Sequence, residues 1–146
     1  MTAATEAILN LIYELDERVD LGHFEEAGAL FAEGSLSVEG ADIVLRGGDE
    51  VTAHLHRTLR RHADGSCETV RVTANATVRT HAQTGEAEAY FAVFQATPEL
   101  PLQPVLGGVY LDTFHRSDHG WAFSSRVVRV RLRGDLSGHV VDSVAR

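Results

Sequence analysis

Residues 105–132 read Val-Leu-Gly-Gly-Val-Tyr-Leu-Asp-Thr-Phe-His-Arg, then Ser-Asp-His-Gly, then Trp-Ala-Phe-Ser-Ser-Arg-Val-Val-Arg-Val-Arg-Leu. Two runs rich in β-branched and aromatic residues flank a short polar turn containing Gly120, the pattern of an antiparallel hairpin. A hairpin this long does not stand alone in water, so the stretch predicts a larger sheet. It also gathers Asp112, His115 and Arg126 among Tyr110, Phe114, Trp121 and Phe123. Ionisable groups among apolar walls are how a small-molecule pocket is lined.

Working upstream, residues 98–104 hold three prolines and read as a loop. Residues 86–97 read as a strand whose middle is apolar on both faces, with Tyr90, Ala92 and Phe94 against Ala89, Phe91 and Val93. Such a strand needs cover on both sides, so helices are expected on one face and a second subunit on the other. Over residues 68–80 the period is two: Val70, Val72, Ala74, Ala76 and Val78 share one face. Arg71 and Asn75 fall on the polar face, which is expected at solvent or at an interface.

The first third of the chain has a different period. Ile8, Leu11, Ile12, Leu15 and Val19 form one face of a helix over residues 5–20, with Leu9, Tyr13, Asp16 and Asp20 on a flank beside it. Gly22 breaks that helix, and a short second one carries Phe24, Ala27 and Phe31. Residues 35–39 and 43–46 read as a small hairpin turning at 40–42. Asp49 can cap a third helix over about residues 50–62, with Val51, His54, Leu55, Thr58, Leu59 and His62 on one side. The tail, 134–146, has no pattern that places it. Three helices followed by long strands predict one α+β domain over residues 1–146.

Composition narrows the function. A net charge of -8 and a pI near 5.4 give no general attraction for nucleic acid or an anionic membrane. The arginines at 126, 129, 131 and 133 read as strand positions that pair with the acidic surplus. All 13 basic residues are arginine, which excludes Schiff-base chemistry on a lysine side chain. The lone Cys67 forms no internal disulfide, and no Cys/His cluster suggests zinc, so a cytoplasmic location is expected. Thr5, Glu6 and Asn10 stand where a secretory signal would be apolar. GxSxG, P-loop, GxGxxG and HExxH patterns are all absent, so neither metal nor cofactor is expected.

The chain resembles the SnoaL-like branch of the nuclear transport factor 2 (NTF2-like) superfamily. The resemblance rests on the opening helix ending Val19-Asp20, on Phe24 and Ala29-Leu30-Phe31-Ala32, on Gly107-Gly108-Val109-Tyr110-Leu111-Asp112, and on Gly120-Trp121 followed by Arg126. It implies a cystatin-like curved antiparallel sheet with three N-terminal helices, closed into a cone around an apolar pocket. The superfamily includes ketosteroid isomerase, scytalone dehydratase and limonene epoxide hydrolase, and it hosts binding proteins and accessory subunits as well.

Carried over by residue, the resemblance gives two pictures. In the dehydratase-like one, Asp20 matches an acidic residue of the first helix at the pocket, and the strand histidine of the family falls near Arg71. His54 or His62 of the third helix would then substitute. In the isomerase-like one, Glu39 falls at the proton-shuttling carboxylate and Asp112 at the protonated acid of the oxyanion hole. The family tyrosine falls at Leu15, with Tyr13 two residues away.

The candidate catalytic set is therefore Asp20, His54, Tyr13 and Asp112. Asp20 is a base if buried in the cavity, or a helix end bonded to an arginine if not. Candidate substrate contacts are Phe24, Glu39, Leu55, Arg71, Phe94, Tyr110, Phe114, Trp121 and Arg126; if the face of Arg71 and Asn75 points inward, these two become hydrogen-bond donors. The leading expectation is cofactor-independent dehydration, isomerisation or cyclisation of a small hydrophobic oxygenated compound by a homodimer that pairs through its sheet. One alternative is a binding protein, expected if Asp20 is tied up in a salt bridge and no second ionisable group reaches the cavity. The other is an accessory subunit like the small chain of a ring-hydroxylating dioxygenase.

Overall fold

A computed structural model describes residues 1–141. Helix α1 (Ala3–Asp20) begins where the Thr2 hydroxyl accepts the N–H of Thr5 at 3.0 Å. It ends at Gly22, whose φ of +80° is open to glycine at little cost; a Cβ there would also meet the Gly65 carbonyl oxygen at 1.9 Å. Helix α2 (Phe24–Ala29), strands β1 (Ser35–Val38) and β2 (Ile43–Arg46), and helix α3 (Gly47–Thr58) follow. Four long strands complete the described order: β3 (Thr69–His81), β4 (Thr84–Gln95), β5 (Gln103–Ser117) and β6 (Gly120–Arg133).

The 105–132 stretch is the β5–β6 hairpin at the centre of a six-stranded sheet of order β2-β1-β6-β5-β4-β3. Its pairs are antiparallel except β1 with β6, which run parallel. Gly108 lies at a register shift in this hairpin, and a Cβ there would meet the Arg129 carbonyl oxygen at 2.0 Å. The bare backbone at that point lets β5 and β6 close together beneath the Phe91 ring.

Two expectations are corrected. Helix α3 spans 47–58 and stops at Thr58, whose hydroxyl bonds the His54 carbonyl at 2.8 Å; Leu59 then turns extended and bridges Val140. His62 therefore lies outside α3. Strand β3 does not keep one phase either. Its register shifts between Ala74 and Thr77, with Asn75 at φ +55°. Before this bulge, Thr69, Arg71 and Thr73 point inward while Val70 and Val72 are exposed. After it, Val78 packs on the core. An inserted residue reverses the alternation, so a strand read as one apolar face is two half-strands facing opposite ways.

The larger apolar cluster joins Ile8, Ile12, Leu15 and Val19 of α1 to Phe24, Phe31, Val51, Leu55, Phe114 and Phe123. Phe123 stacks on Phe31 with centroids 4.9 Å apart and lies 4.8 Å from Phe114, which closes one end of the cone. A smaller cluster of Phe91, Val93, Val105 and Tyr110 lines the far part of the sheet. Residues 134–141 return across the open end, with the Val141 N–H donating to the Thr58 carbonyl and the Arg60 N–H to the His139 carbonyl, each at 2.9 Å.

Candidate active site

Between the two clusters lies a cavity of about 260 Å³. Its walls are mostly aliphatic: Leu15 and Val19 from α1, Val51 and Leu55 from α3, Val128 and Val130 from β6, and Leu136 and Val140 from the tail. Five polar side chains interrupt them away from the rim: Asp16, Arg71, Tyr110, Arg126 and His139. A small number of placed polar groups in an apolar wall is the usual make-up of a ligand site.

Asp16 is 6% exposed. Burial pushes its carboxyl above the ordinary aspartate value; a hydrogen bond from Thr73 and the charges of Arg126 and Arg71 work the other way. The Thr73 hydroxyl donates to Oδ2 at 2.6 Å, and Oδ1 has no hydrogen-bond partner among the described residues. Asp16 thus lies between two openings, lining both the apolar cavity and the outer depression beside Tyr13 and Asp20. Replacing Thr73 by Val removes the donor that favours the charged form, so the Asp16 titration is expected to move to higher pH. A carboxyl-carbon NMR titration reads this, and an unmoved curve would show that the bond has no influence.

Tyr110 is held flat between two partners. Phe91 stacks on one side with ring centroids 4.2 Å apart and planes 7° from parallel, and the Arg126 guanidinium carbon lies 3.6 Å from the Tyr110 centroid. Burial pushes the phenol up to about 12, against the pull of Arg126, so at neutral pH the group is a donor. No described residue bonds its hydroxyl. Arg126 meets Asp112 directly across the β5–β6 ladder and donates twice, Nε to Oδ1 at 2.7 Å and Nη2 to Oδ2 at 2.8 Å. Burial opposes the arginine charge, but Asp112 outweighs it and holds the guanidinium protonated.

Arg71 reaches the cavity from the inward half of β3. Its Nη1 donates to Asp20 Oδ1 at 2.5 Å and its backbone N–H to Oδ2 at 2.8 Å, while Thr69 donates to Oδ1 at 2.7 Å. Its Nη2 faces His139 Nε2 at 3.1 Å. Burial, Arg71 and His62 hold the His139 imidazole down to about 3, hence neutral.

The candidates drawn from the sequence divide accordingly. Leu55, Arg71, Tyr110 and Arg126 line the cavity. Asp112 stands behind Arg126, 3% exposed. Asp20 is not a wall residue; it lies with Tyr13, 47% exposed, in a shallow depression outside. His54 sits half-buried on α3, its imidazole lowered by burial and by Arg57, and takes no part in the wall. Phe24 packs under Arg61 and His56, Phe114 in the closed end, and Trp121 against the larger cluster. Phe94 opposes Val70 on the outer face of β4, and Glu39 pairs with Arg129 at 2.9 Å near the sheet edge. The sequence reading missed Asp16 and His139. For Asp16 the signal was present, since it follows Leu15 and stands four residues after Ile12 on the buried stripe.

Among the described residues, no group of three or more His, Cys, Asp or Glu side chains could hold a metal ion. No helix there is long and apolar enough to cross a membrane.

Three helices packed on a curved sheet around such a cavity define a class, the NTF2-like α+β proteins of cystatin-like fold. The chain belongs to the SnoaL-like domain family, whose model matches residues 1–127. A structure of an NTF2-like protein with a cystatin-like fold from Novosphingobium aromaticivorans superposes with a TM-score of 0.73 at 20% identity, covering 87% of this chain and 81% of that one. A second protein from that organism, provisionally named a scytalone dehydratase, gives 0.71 at 22% identity, covering 90% and 86%. ActVI-ORFA from Streptomyces coelicolor gives 0.72 at 14% identity, covering 88% and 98%. At these identities the likeness is one of fold. A search of curated proteins finds no match.

Proposed function

We propose that this protein catalyses cofactor-independent proton transfer on a small hydrophobic carbonyl compound, with Asp16 as the base and Tyr110 as the donor to the carbonyl oxygen. The observation that carries this reading is a pair of groups suited to opposite tasks on one apolar wall. Asp16 has a free oxygen and a raised pKa, and Tyr110 has a free hydroxyl held protonated. Groups whose environments separate their roles in this way divide acid from base work.

In the forward step the Asp16 carboxylate takes a proton from the carbon beside the carbonyl, the C–H electron pair becomes the new C=C bond, and the π pair of the breaking C=O double bond moves onto oxygen. Tyr110 donates a hydrogen bond to that oxygen, and Arg126 against its ring steadies the growing negative charge. The protonated Asp16 returns its proton to another carbon in an isomerisation, or to a departing hydroxyl, as water, in a dehydration. A scytalone dehydratase name among the structural neighbours is compatible with the second course. The test is deuterium incorporation beside the carbonyl of α-tetralone in heavy water. Exchange no faster than in buffer would overturn the proposal.

The binding-only alternative needs Asp20 tied in a salt bridge and no second ionisable group in the cavity. Asp20 is tied to Arg71, but Asp16 reaches the wall, so the second condition is unmet. Pairing of two copies through the sheet is supported by Val70, Val72 and Tyr90, large side chains left 61%, 46% and 51% exposed on the outer face of β3 and β4. Val72→Arg is expected to shift the chain toward monomer in sedimentation, and an unchanged profile would remove this face as the contact.

A further inference from the structure

Two side chains belong to two spaces at once. Asp16 and Arg71 line the cavity, and both also line the outer depression between α1 and β3, the last strand of the sheet. No other described residue is common to the two walls. Their partners show how each is oriented. Asp16 Oδ2 accepts from Thr73 at 2.6 Å, and Thr73 borders the depression but not the cavity. Arg71 Nη1 donates to Asp20, which also borders the depression and not the cavity, while Nη2 faces His139, which borders the cavity and not the depression. The partition at this seam therefore contains a carboxyl and a guanidinium group, each with a partner on the depression side.

Only one of the two can carry a proton across. A guanidinium has no lone pair to accept with and does not deprotonate in a protein, and Arg71 is held by Asp20 besides. A carboxyl can gain a proton on one side and lose it on the other, because its two oxygens share the charge. The charged and titratable groups that face Asp16 are Asp20 of its own helix, Arg71 of β3, Tyr110 of β5 and Arg126 of β6. The arginines stay charged, Tyr110 stays protonated at neutral pH, and Asp20 accepts from Thr69 and Arg71. Asp16 is left as the group of the seam that exchanges.

An apolar ligand that fills the cavity leaves a protonated base no water on that side. The depression offers it, since Tyr13 and Leu21 of its lining are 47% and 46% exposed. We propose that Asp16 exchanges its proton with solvent through the outer depression while a ligand fills the cavity. The protonated carboxyl gives its proton to a water molecule there, which leaves as hydronium, and the carboxylate is restored; the reverse transfer reloads it. As a catalytic step this rests on the proposed function, whereas the route itself stands on the two shared side chains.

Tetralin, two fused rings without a carbonyl, reads the route without reacting; a cavity of roughly 150 Å³ takes up benzene, and this one holds about 260 Å³. If solvent reaches Asp16 through the depression, a filled cavity leaves the carboxylate hydrated. The tetralin Kd is then expected to change by less than about fivefold between the acid and the alkaline side of the Asp16 titration, once the pH dependence of Asp16→Asn is subtracted. If solvent reaches Asp16 only through the cavity, tetralin strips that water and favours the protonated form. It would then bind about fivefold or more weakly on the alkaline side, which overturns the proposal. Closing the depression is the converse test. Cys67 is buried, so the thiol of Tyr13→Cys is the one open to phenylmaleimide. The adduct is expected to move the Asp16 titration to higher pH and to slow deuterium exchange into α-tetralone by about tenfold or more. An unmoved titration overturns the proposal as well. A parent without exchange but with a flat tetralin Kd would lose the base role of Asp16 and keep the route. A parent with exchange and a tetralin Kd that weakens would lose the route and keep the base.

Discussion

Asp16→Asn is expected to slow deuterium exchange into α-tetralone by about 10²–10⁴-fold, the usual contribution of a positioned general base, and to raise the melting temperature near neutral pH. The two effects have one origin. Burial lifts the folded-state pKa of Asp16 above its ordinary 3.8, so the folded chain binds this proton over a range in which the unfolded chain has released it. Stability then falls as pH rises from 3.8 through the folded value, and it stays lower above that value. Asparagine has the same shape, can still accept from Thr73, and has no proton to release. The variant should match the parent at acid pH and exceed it on the alkaline side of the window, trading activity for stability. Parent-like exchange, or melting curves that coincide at neutral pH, would sink the role of Asp16.

The second large effect concerns Arg126. Arg126→Met leaves Asp112 almost fully buried with both oxygens unmatched, where each now accepts a bond of 2.7–2.8 Å. Breaking a buried pair from one side costs about 3–5 kcal/mol, a fall in melting temperature of roughly ten degrees for a chain of this size. Removing both ends should behave differently, because the double variant Arg126→Met, Asp112→Leu carries no orphaned charge. Its stability is expected to recover most of the loss. Exchange activity should not recover with it, since neither variant has a cation against Tyr110. A double variant as unstable as Arg126→Met would mean that packing of the guanidinium on Tyr110 and Phe123, rather than the charge on Asp112, dominates.

The helices, the long strands and the central hairpin were legible because each repeats a local period long enough to identify. The site was legible only in part. Asp16 and Asp20 stand four residues apart on the same flank of α1, and nothing local separates them. What does is distant: Thr69 and Arg71 of β3 converge on Asp20, while Thr73, one pleat further along the strand, reaches Asp16. The inward aim of Arg71 was hidden by the bulge at Asn75, because the valines on either side of it suggested one continuous apolar face. His139 was beyond reach, since its segment has no period. Backbone bonds to residues some eighty positions earlier hold that segment in place.

The bulge in β3 has a consequence for how such a chain can change over generations. Up to Ala74, successive codons answer alternately to the covered inner face, where Arg71 lines the cavity, and to the outer surface: Thr69, Arg71 and Thr73 to the one, Val70 and Val72 to the other. A point mutation can therefore alter selectivity while leaving the outer surface as it was, or the reverse. A single-codon deletion at the bulge does neither gently, because it exchanges the two sets of residues over half the strand.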